Sequence, residues 1–340
     1  MPPSTTSSPG SDLPAAPGIA DIEDAARRLH GLAVRTPLLD CPSLSALTGG
    51  RVLIKAEMLQ RTGSFKFRGA YNRISRLDRA ARANGLVAFS SGNHAQAVAA
   101  VAAMLGIDAA IVMPSDAPRL KLEATRGHGA EVVLYDRHRE AREDIAAALV
   151  RERGATLIPP FEHPLIIAGQ GTVGLEIADD LRDRGMIPDA VLAPCSGGGL
   201  IAGIATAIRD RFPSAAIYAV EPEGFDDTAR SLADGKRRTN APDARSICDA
   251  LLVPSPGALT FSINRRLLAG GMAVSDEGAQ RAMAFAFRHL KLVVEPGGAV
   301  ALACLLATPE RWRGKTVVVV CSGGNVDAAT FRDALATKPG

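Results

Sequence analysis

Aromatic residues are scarce in this 340-residue chain: tryptophan occurs once, tyrosine three times, and aromatics make up 4% of the sequence. The core must therefore be aliphatic and rich in alanine. No dense run of lysine and arginine is interleaved with aromatics, and the net charge is only +3. Nothing in that pattern points to a nucleic acid or a membrane surface as partner. Cysteines are few and odd in number: Cys41, Cys195, Cys248, Cys304 and Cys321, no two at metal-ligand spacing. That argues against a disulfide frame or a zinc site and for reduced thiols in the cytoplasm. No apolar run is long enough to span a bilayer. The opening "MPPSTTSSPGSDLPAAPG" lacks both a basic start and an apolar stretch. It reads as a polar tail, disordered over residues 1–16, rather than a signal peptide.

What is present is an alternation of short apolar runs with longer helix-like segments. "GLVAFSSGNHAQAVAAVAAMLG" gives strand, small-residue loop and alanine-rich helix, and "DAVLAPCSGGGLIAGIATAIRDRF" repeats the order. "AIYAVEPEG" is a strand with an acidic end, and "KTVVVVCSGGNVDAATF" closes the chain with a buried strand, a glycine loop and a helix. This pattern predicts parallel sheets covered by helices, in about two domains for this length. A boundary is expected near "ATLIPPFEHP", where Pro159, Pro160 and Pro164 cluster.

Three strands end in loops of Ser, Gly and Asn: "SSGNH" (Ser90 to His94), "CSGGGL" (Cys195 to Leu200) and "CSGGN" (Cys321 to Asn325). In open α/β sheets the carboxyl ends of strands form the ligand crevice. Small residues there let backbone amides approach a ligand, and a following helix N-terminus favours an anion. Taken together, the three loops predict a site for an anionic small molecule.

Two readings of the glycine loop compete. "GGGLIA", Gly197 to Ala202, has the spacing G-x-G-x-x-A after a strand, and the next strand ends in Glu221. That suits a dinucleotide-dependent oxidoreductase. It leaves "RTGSFKFRGA" without a role, and there Lys66 sits between Phe65 and Phe67. The decamer alone reads as a helix start, with Ser64 as N-cap, Lys66 and Arg68 facing solvent and the phenylalanines in the core. In the second reading Lys66 forms a Schiff base with pyridoxal phosphate, "SGGGL" takes the phosphate, and "SSGNH" and "CSGGN" close around the ring. A non-catalytic amino-acid-sensing module remains a third possibility and needs no chemistry from Lys66.

"GSFKFRGA", "SSGNHAQAVA", "AGQGTVGLEI", "SGGGLIAGIA", "EPGGAVALA" and "CSGGNVD" resemble, in that order, the serine/threonine dehydratase and serine racemase family. The resemblance runs from "RTPLLD" at Arg35 to the final helix. It implies the tryptophan synthase β-subunit-like fold of pyridoxal-phosphate enzymes (fold type II), with two open twisted parallel-sheet domains. The implied division is a large cofactor-binding domain of residues 17–75 plus 162–340 and a small domain of 76–161. A homodimer is implied as well, and the chain looks like the short form, without a regulatory domain.

Residue by residue, Lys66 matches the lysine that binds the cofactor and moves the Cα proton, a task that needs a neutral amine. Phe65 matches the residue beside the ring and Asn93 the amide on the phenolic oxygen. Ser196, Gly197, Gly198, Gly199 and Leu200 match the phosphate loop, and Ser322 the residue facing the pyridine nitrogen. A serine there leaves that nitrogen largely neutral, which favours early loss of a β-hydroxyl. Ser90, Ser91, Gly92, Asn93 and His94 would line the substrate, with the backbone amide of His94 expected to matter more than its imidazole.

Three features choose a branch. Ser91 stands where many threonine dehydratases carry alanine, and in serine racemases it is the acid/base on the opposite face. "VEPEGFDD" places Glu221, the Phe225 carbonyl and Asp227 as in members with a divalent-metal site, a donor set suited to Mg²⁺ or Ca²⁺. Arg142 in "DRHREAREDI" aligns with an arginine that reaches a substrate carboxylate; the bland alternative is an exposed helical arginine paired with nearby acids. Against a racemase, Phe161 in "PPFEHP" stands where some racemases have asparagine. The resulting expectation is an ammonia-lyase that eliminates across a β-hydroxy amino acid, 3-hydroxyaspartate first and L-serine or L-threonine next, to the keto acid and ammonia. An amino-acid racemase is the alternative. His128, His138, His163 and His289 are scattered and assigned ordinary surface or core roles.

Overall fold

The computed structural model describes residues 13–137 and 139–337; most of the tail expected to be disordered, and His138, lie outside them. Among the described residues the apolar runs form two sheets. The larger has the order β1 (Leu38–Asp40), β2 (Arg51–Ala56), β10 (Thr316–Cys321), β7 (Ala190–Pro194), β8 (Ala216–Pro222), β9 (Gly270–Val274). Only β1 runs antiparallel to its neighbour. The smaller is wholly parallel, in the order β5 (Glu131–Tyr135), β4 (Ala109–Pro114), β3 (Leu86–Phe89), β6 (Thr156–Leu157).

The strand compositions explain the layering. β7 is buried along its whole length and β10 from Val317 onward, as expected for strands covered by helices on both faces. The chain leaves the larger sheet after β2, builds the smaller one, and returns through the helix Pro164–Asp183. The proline cluster thus marks the return crossing. No helix is long and apolar enough to cross a membrane among the described residues.

The glycines of the "AGQGTVGLEI" motif serve close helix packing. Helix Pro164–Asp183 lies against helix Gly199–Arg211 and against helix Lys66–Ile74. A Cβ at Gly169 would stand 2.6 Å from the Gly69 Cα, so the two glycines let these backbones touch. That contact fixes the helix that carries Lys66.

The topology also gathers the three small-residue loops. β10 and β7 are neighbours, so "CSGGN" and "CSGGGL" leave the same edge side by side. "SSGNH" leaves β3 of the smaller sheet and meets them: Asn325 Nδ2 donates to Asn93 Oδ1 at 2.9 Å.

Candidate active site

Lys66 opens a helix, but not in the way the decamer alone suggests. The residue preceding the helix is Phe65, with no side-chain cap, and the Ser64 hydroxyl is buried without a partner. The loop is laced instead to the last glycine loop. Phe65 N donates to Ser322 O at 3.2 Å, Gly324 N to Gly63 O at 2.9 Å, and Ser64 bridges Gly323. This holds the Lys66 ammonium in a cleft, where Nζ donates to Pro160 O at 2.8 Å and lies 5.2 Å from the Phe65 ring centroid. Burial pulls its pKa down to about 8. An amine that gives up its proton so near neutrality can serve both as nucleophile and as base.

Arg68 does not face solvent. It is 1% exposed, and its guanidinium holds both oxygens of Glu57 (2.9 and 2.8 Å) and of Glu176 (2.6 and 2.9 Å). Lys55 adds a third bond to Glu176 at 2.6 Å, and Thr36 donates to Glu57 at 2.5 Å. Burial alone would lower the Arg68 pKa, but the charges of Glu57 and Glu176 raise it. Burial likewise opposes ionisation of Glu176, yet Arg68 and Lys55 hold its pKa below the usual value. Two cations and two carboxylates thus clamp the first turns behind Lys66.

The loop Ser196–Leu200 turns its carbonyls away from the cleft. Thr260 Oγ1 donates to Gly197 O at 2.6 Å, and Asn264 Nδ2 to Gly198 O at 3.4 Å. Gly198 has φ +90, and a side chain there would meet Asn264 at 2.7 Å. A Cβ at Gly197 would stand 2.4 Å from the Phe161 ring, so the loop passes between that ring and Thr260. The helix Gly199–Arg211 begins here, and its first amides have no partner within the helix. The Ser196 hydroxyl is buried without a partner. Free amides, a helix N-terminus and an orphaned hydroxyl make a receptor for an anion.

Phe65, Lys66, Ser90, Ser91, Asn93, His94, Arg142, Phe161, Ser322 and the whole Ser196–Leu200 loop line the same cleft. Gly92 stands just behind it, buried against Lys121. Ser91 Oγ has a long 3.5 Å contact to Asp249 O. His94 is more than a backbone amide. Its Nε2 bonds Ile158 O at 2.9 Å, its Nδ1 is buried and unpartnered, and burial together with the Lys66 charge pulls its pKa to about 3. The imidazole is therefore neutral. Arg142 begins the helix Arg142–Arg153 of the smaller sheet. Its guanidinium stacks 5.1 Å from the Phe89 centroid and bonds Glu143 through Nε at 2.8 Å. That places a cation in the cleft with nitrogens to spare.

Sequence reasoning missed the groups behind Asn93. Asn93 Nδ2 donates to Glu295 Oε1 at 2.5 Å, and Lys121 reaches both Glu295 and Asp249. Glu295 stood in the recognised "EPGGAVALA" segment without an assigned role. Nothing local to Lys121 signals its burial.

Glu221 and Asp227 meet, but away from the cleft lining. Glu221 closes the polar end of β8, and its two oxygens accept Thr228 N at 3.1 Å and Ala229 N at 2.9 Å. Asp227 Oδ1 accepts Asn240 Nδ2 at 2.5 Å, while its Oδ2 is buried without a partner. Burial and the Asp227 charge push the Glu221 pKa up to about 8; burial pushes Asp227 to about 6. Among the described residues no group of three or more His, Cys, Asp or Glu side chains is placed to hold a metal. Phe225, between Glu221 and Asp227 in sequence, is buried as well. Thr228, whose amide donates to Glu221, has its hydroxyl 3.4 Å from Cys195 Sγ, one residue before Ser196.

Comparison with known proteins places the chain among relatives of one family. The family model "Pyridoxal-phosphate dependent enzyme" matches residues 30–323. An L-threo-3-hydroxyaspartate ammonia-lyase of Pseudomonas sp is 44% identical over 93% of the chain and 97% of that protein. A serine racemase of Schizosaccharomyces pombe is 38% identical over 93% of the chain and 96% of that protein. Among solved structures, a threonine deaminase of T.th. superimposes with a TM-score of 0.86 at 45% identity, covering 92% of this chain and 99% of its own.

Proposed function

The chain belongs to the pyridoxal-phosphate-dependent enzymes, and on that premise we propose that its cleft removes ammonia from a β-hydroxy amino acid, with 3-hydroxyaspartate as first substrate. L-serine and L-threonine follow. The observation that carries the substrate choice is Arg142, a cation set in the same cleft as Lys66. A second substrate carboxylate taken out of water needs such a partner.

The residues fit the cofactor. A phosphate would satisfy the orphaned Ser196 hydroxyl and the free amides of Gly197, Gly198, Gly199 and Leu200. Phe65 would flank the ring, Asn93 would meet the phenolic oxygen, and Ser322 the pyridine nitrogen. When bound, the cofactor supplies an electron sink for the Cα–H bond. Lys66 anchors it and then takes the Cα proton, for which its depressed pKa prepares it. Ser90, Ser91 and the start of the helix Asn93–Leu105 receive the α-carboxylate. Arg142 holds the distal carboxylate and orients the β-hydroxyl for departure.

A second reading, amino-acid racemisation, draws support from Ser91. Its hydroxyl lines the cleft with only a 3.5 Å contact to Asp249 O, so it is free to pass a proton. Glu221, Asp227 and the Phe225 carbonyl are proposed as a Mg²⁺ or Ca²⁺ site supporting the anion loop, on the strength of the orphaned Asp227 oxygen. The reading also includes the division into bodies of 17–75 with 162–340 and of 76–161, each built on one sheet. It includes a homodimer, carried by the family resemblance, in the cytoplasm, where five buried free thiols would persist.

Arg142→Met tests the substrate. It should lower kcat/KM for 3-hydroxyaspartate by about 10²-fold, the size expected for a lost charge-assisted bond of about 3 kcal/mol. Serine and threonine should change much less. An unchanged ratio would return the assignment to serine or threonine.

A further inference from the structure

Lys121 belongs to none of the motifs, yet it is 2% exposed. It lies in the helix Arg119–Gly127, which packs on the smaller sheet and on the helix Asn93–Leu105. Its stem runs directly under the Ser90–His94 loop: a Cβ at Gly92 would stand 2.3 Å from Lys121 Cδ. Its Nζ then crosses to the other body, donating to Asp249 Oδ2 at 2.7 Å and Glu295 Oε2 at 3.1 Å. Glu295 immediately precedes the helix Pro296–Ala307, which packs on β7, β8 and β10 of the larger sheet. The other Glu295 oxygen accepts Asn93 Nδ2, and Asn93 Oδ1 accepts Asn325 Nδ2.

We propose that Lys121 is a positioning residue of the site: by pairing with Glu295 across the two bodies, it locks the Asn93 amide in the one orientation that leaves an N–H for the cofactor's phenolic oxygen. This rests on the reading of Asn93 as a cofactor contact.

The reason lies in the two protonation states of Glu295. An ionised carboxylate can only accept, so it must face the NH₂ side of an amide; a protonated one can donate, and then it can face the carbonyl side instead. Glu295 is 1% exposed. Burial raises its pKa, the Lys121 charge and the Asn93 bond oppose that rise, and the Asp249 charge adds to it. The buried Cys248 thiol also lies near enough to feel the Glu295 charge. Remove the ammonium and Glu295 is left buried beside another acid, free to take a proton and to release the amide. Lys121 also links the loop after β3 to the larger sheet, so the amide is correctly aimed only when the two bodies are docked.

The test compares Lys121→Met, Lys121→Arg, Glu295→Gln, the double variant Lys121→Met/Glu295→Gln, and Asn93→Ala, each as the cofactor-loaded protein. Three readouts apply: the visible absorption band and its pH midpoint, retention of pyridoxal phosphate on dilution, and steady-state kinetics. Lys121→Met should move the band or shift its midpoint by at least about half a pH unit, and lower kcat at least about tenfold, which is about 1.4 kcal/mol on the barrier. Lys121→Arg should restore the band. The double variant has no lone buried acid to neutralise, so it should lie closer to wild type than Lys121→Met in both band and kcat. If Lys121→Met does not fold, the double variant decides alone: its band should stand within that half unit of wild type. An unmoved band in Lys121→Met, or a double variant no better than the single one, overturns the proposal and identifies Lys121 as packing. If Asn93→Ala moves the band and Lys121→Met does not, the proposal fails while the cofactor reading stands. If Asn93→Ala leaves the band in place, both fail together.

Discussion

Behind the lysine loop, Lys55 and Arg68 face Glu57 and Glu176; behind the anion loop, Glu221 and Asp227 face each other. The first set is balanced: two cations, two carboxylates, and every oxygen of Glu57 and Glu176 in a hydrogen bond. The second carries two acids, and one Asp227 oxygen has no partner. The pKa shifts follow. Glu176 is held below the ordinary carboxylate range, while Glu221 is pushed up to about 8. Both sets are nearly dry, so burial does not distinguish them; net charge does. A neutral cluster braces the backbone and asks for nothing further. A cluster of uncompensated acids calls for protons or a cation.

The largest effect should come from breaking the balanced set. Arg68→Met leaves the buried Glu57 without a cation, with only Lys55 still holding Glu176, and should destabilise the protein by about 3–5 kcal/mol in denaturant titration. A loss below about 1 kcal/mol would show that the network is not the brace behind Lys66.

The unbalanced set should respond to pH in the opposite sense from an ordinary salt-bridged carboxylate. The folded-state pKa values of Glu221 and Asp227 are raised, so the folded protein binds more protons than the unfolded chain between about pH 4 and pH 8. Their contribution to stability is complete below the unfolded values and is lost as pH rises through about 6 for Asp227 and about 8 for Glu221. Chelator-treated protein should therefore drop in Tm across that window, by more than about 2 °C. Added Mg²⁺ or Ca²⁺ should restore it, and Glu221→Gln should flatten the profile. A Tm indifferent to pH, chelator and cation would make the acid pair a simple helix cap.

The smallest effect on elimination from an L-substrate is expected at Ser91, which belongs to neither set. Ser91→Ala should leave elimination from an L-substrate within about tenfold of wild type, since Lys66 works independently of it. Racemisation, and elimination from the D-configured substrate, should collapse. Equal loss of all activities would make Ser91 a binding residue.

What the sequence makes legible is local. The three small-residue loops follow buried strands directly, so their place at the carboxyl ends could be read off. The charges that hold the site in shape could not. Arg68 meets its partners 11 and 108 residues away, and Lys121 reaches Glu295 across 174 residues. In "KFRGA" and "RLKLEA" both look like the solvated side of an amphipathic helix, because their burial is decided by segments the local pattern does not contain. His94 is similar: its neighbours suggest an amide at a helix start, while its neutral ring depends on burial and on the charge of Lys66, 28 residues earlier in the chain. Glu221 is an intermediate case. Its acidic strand end is visible in the sequence, but its two bonds to the helix Asp227–Asp234 are not.

Lys66 and Arg68 stand two residues apart and are assigned opposite work, chemistry to one and support to the other. Lys66→Ala separates them most directly. The variant should lose lyase turnover and the visible band of bound pyridoxal phosphate, since nucleophile and Cα base go together. Its unfolding free energy, measured without cofactor, should stay within about 1 kcal/mol of wild type, because no buried partner is left unpaired except one carbonyl. Substantial turnover, or a persistent band, in a folded Lys66→Ala protein would contradict the assignment of this cleft as a lysine-based active site.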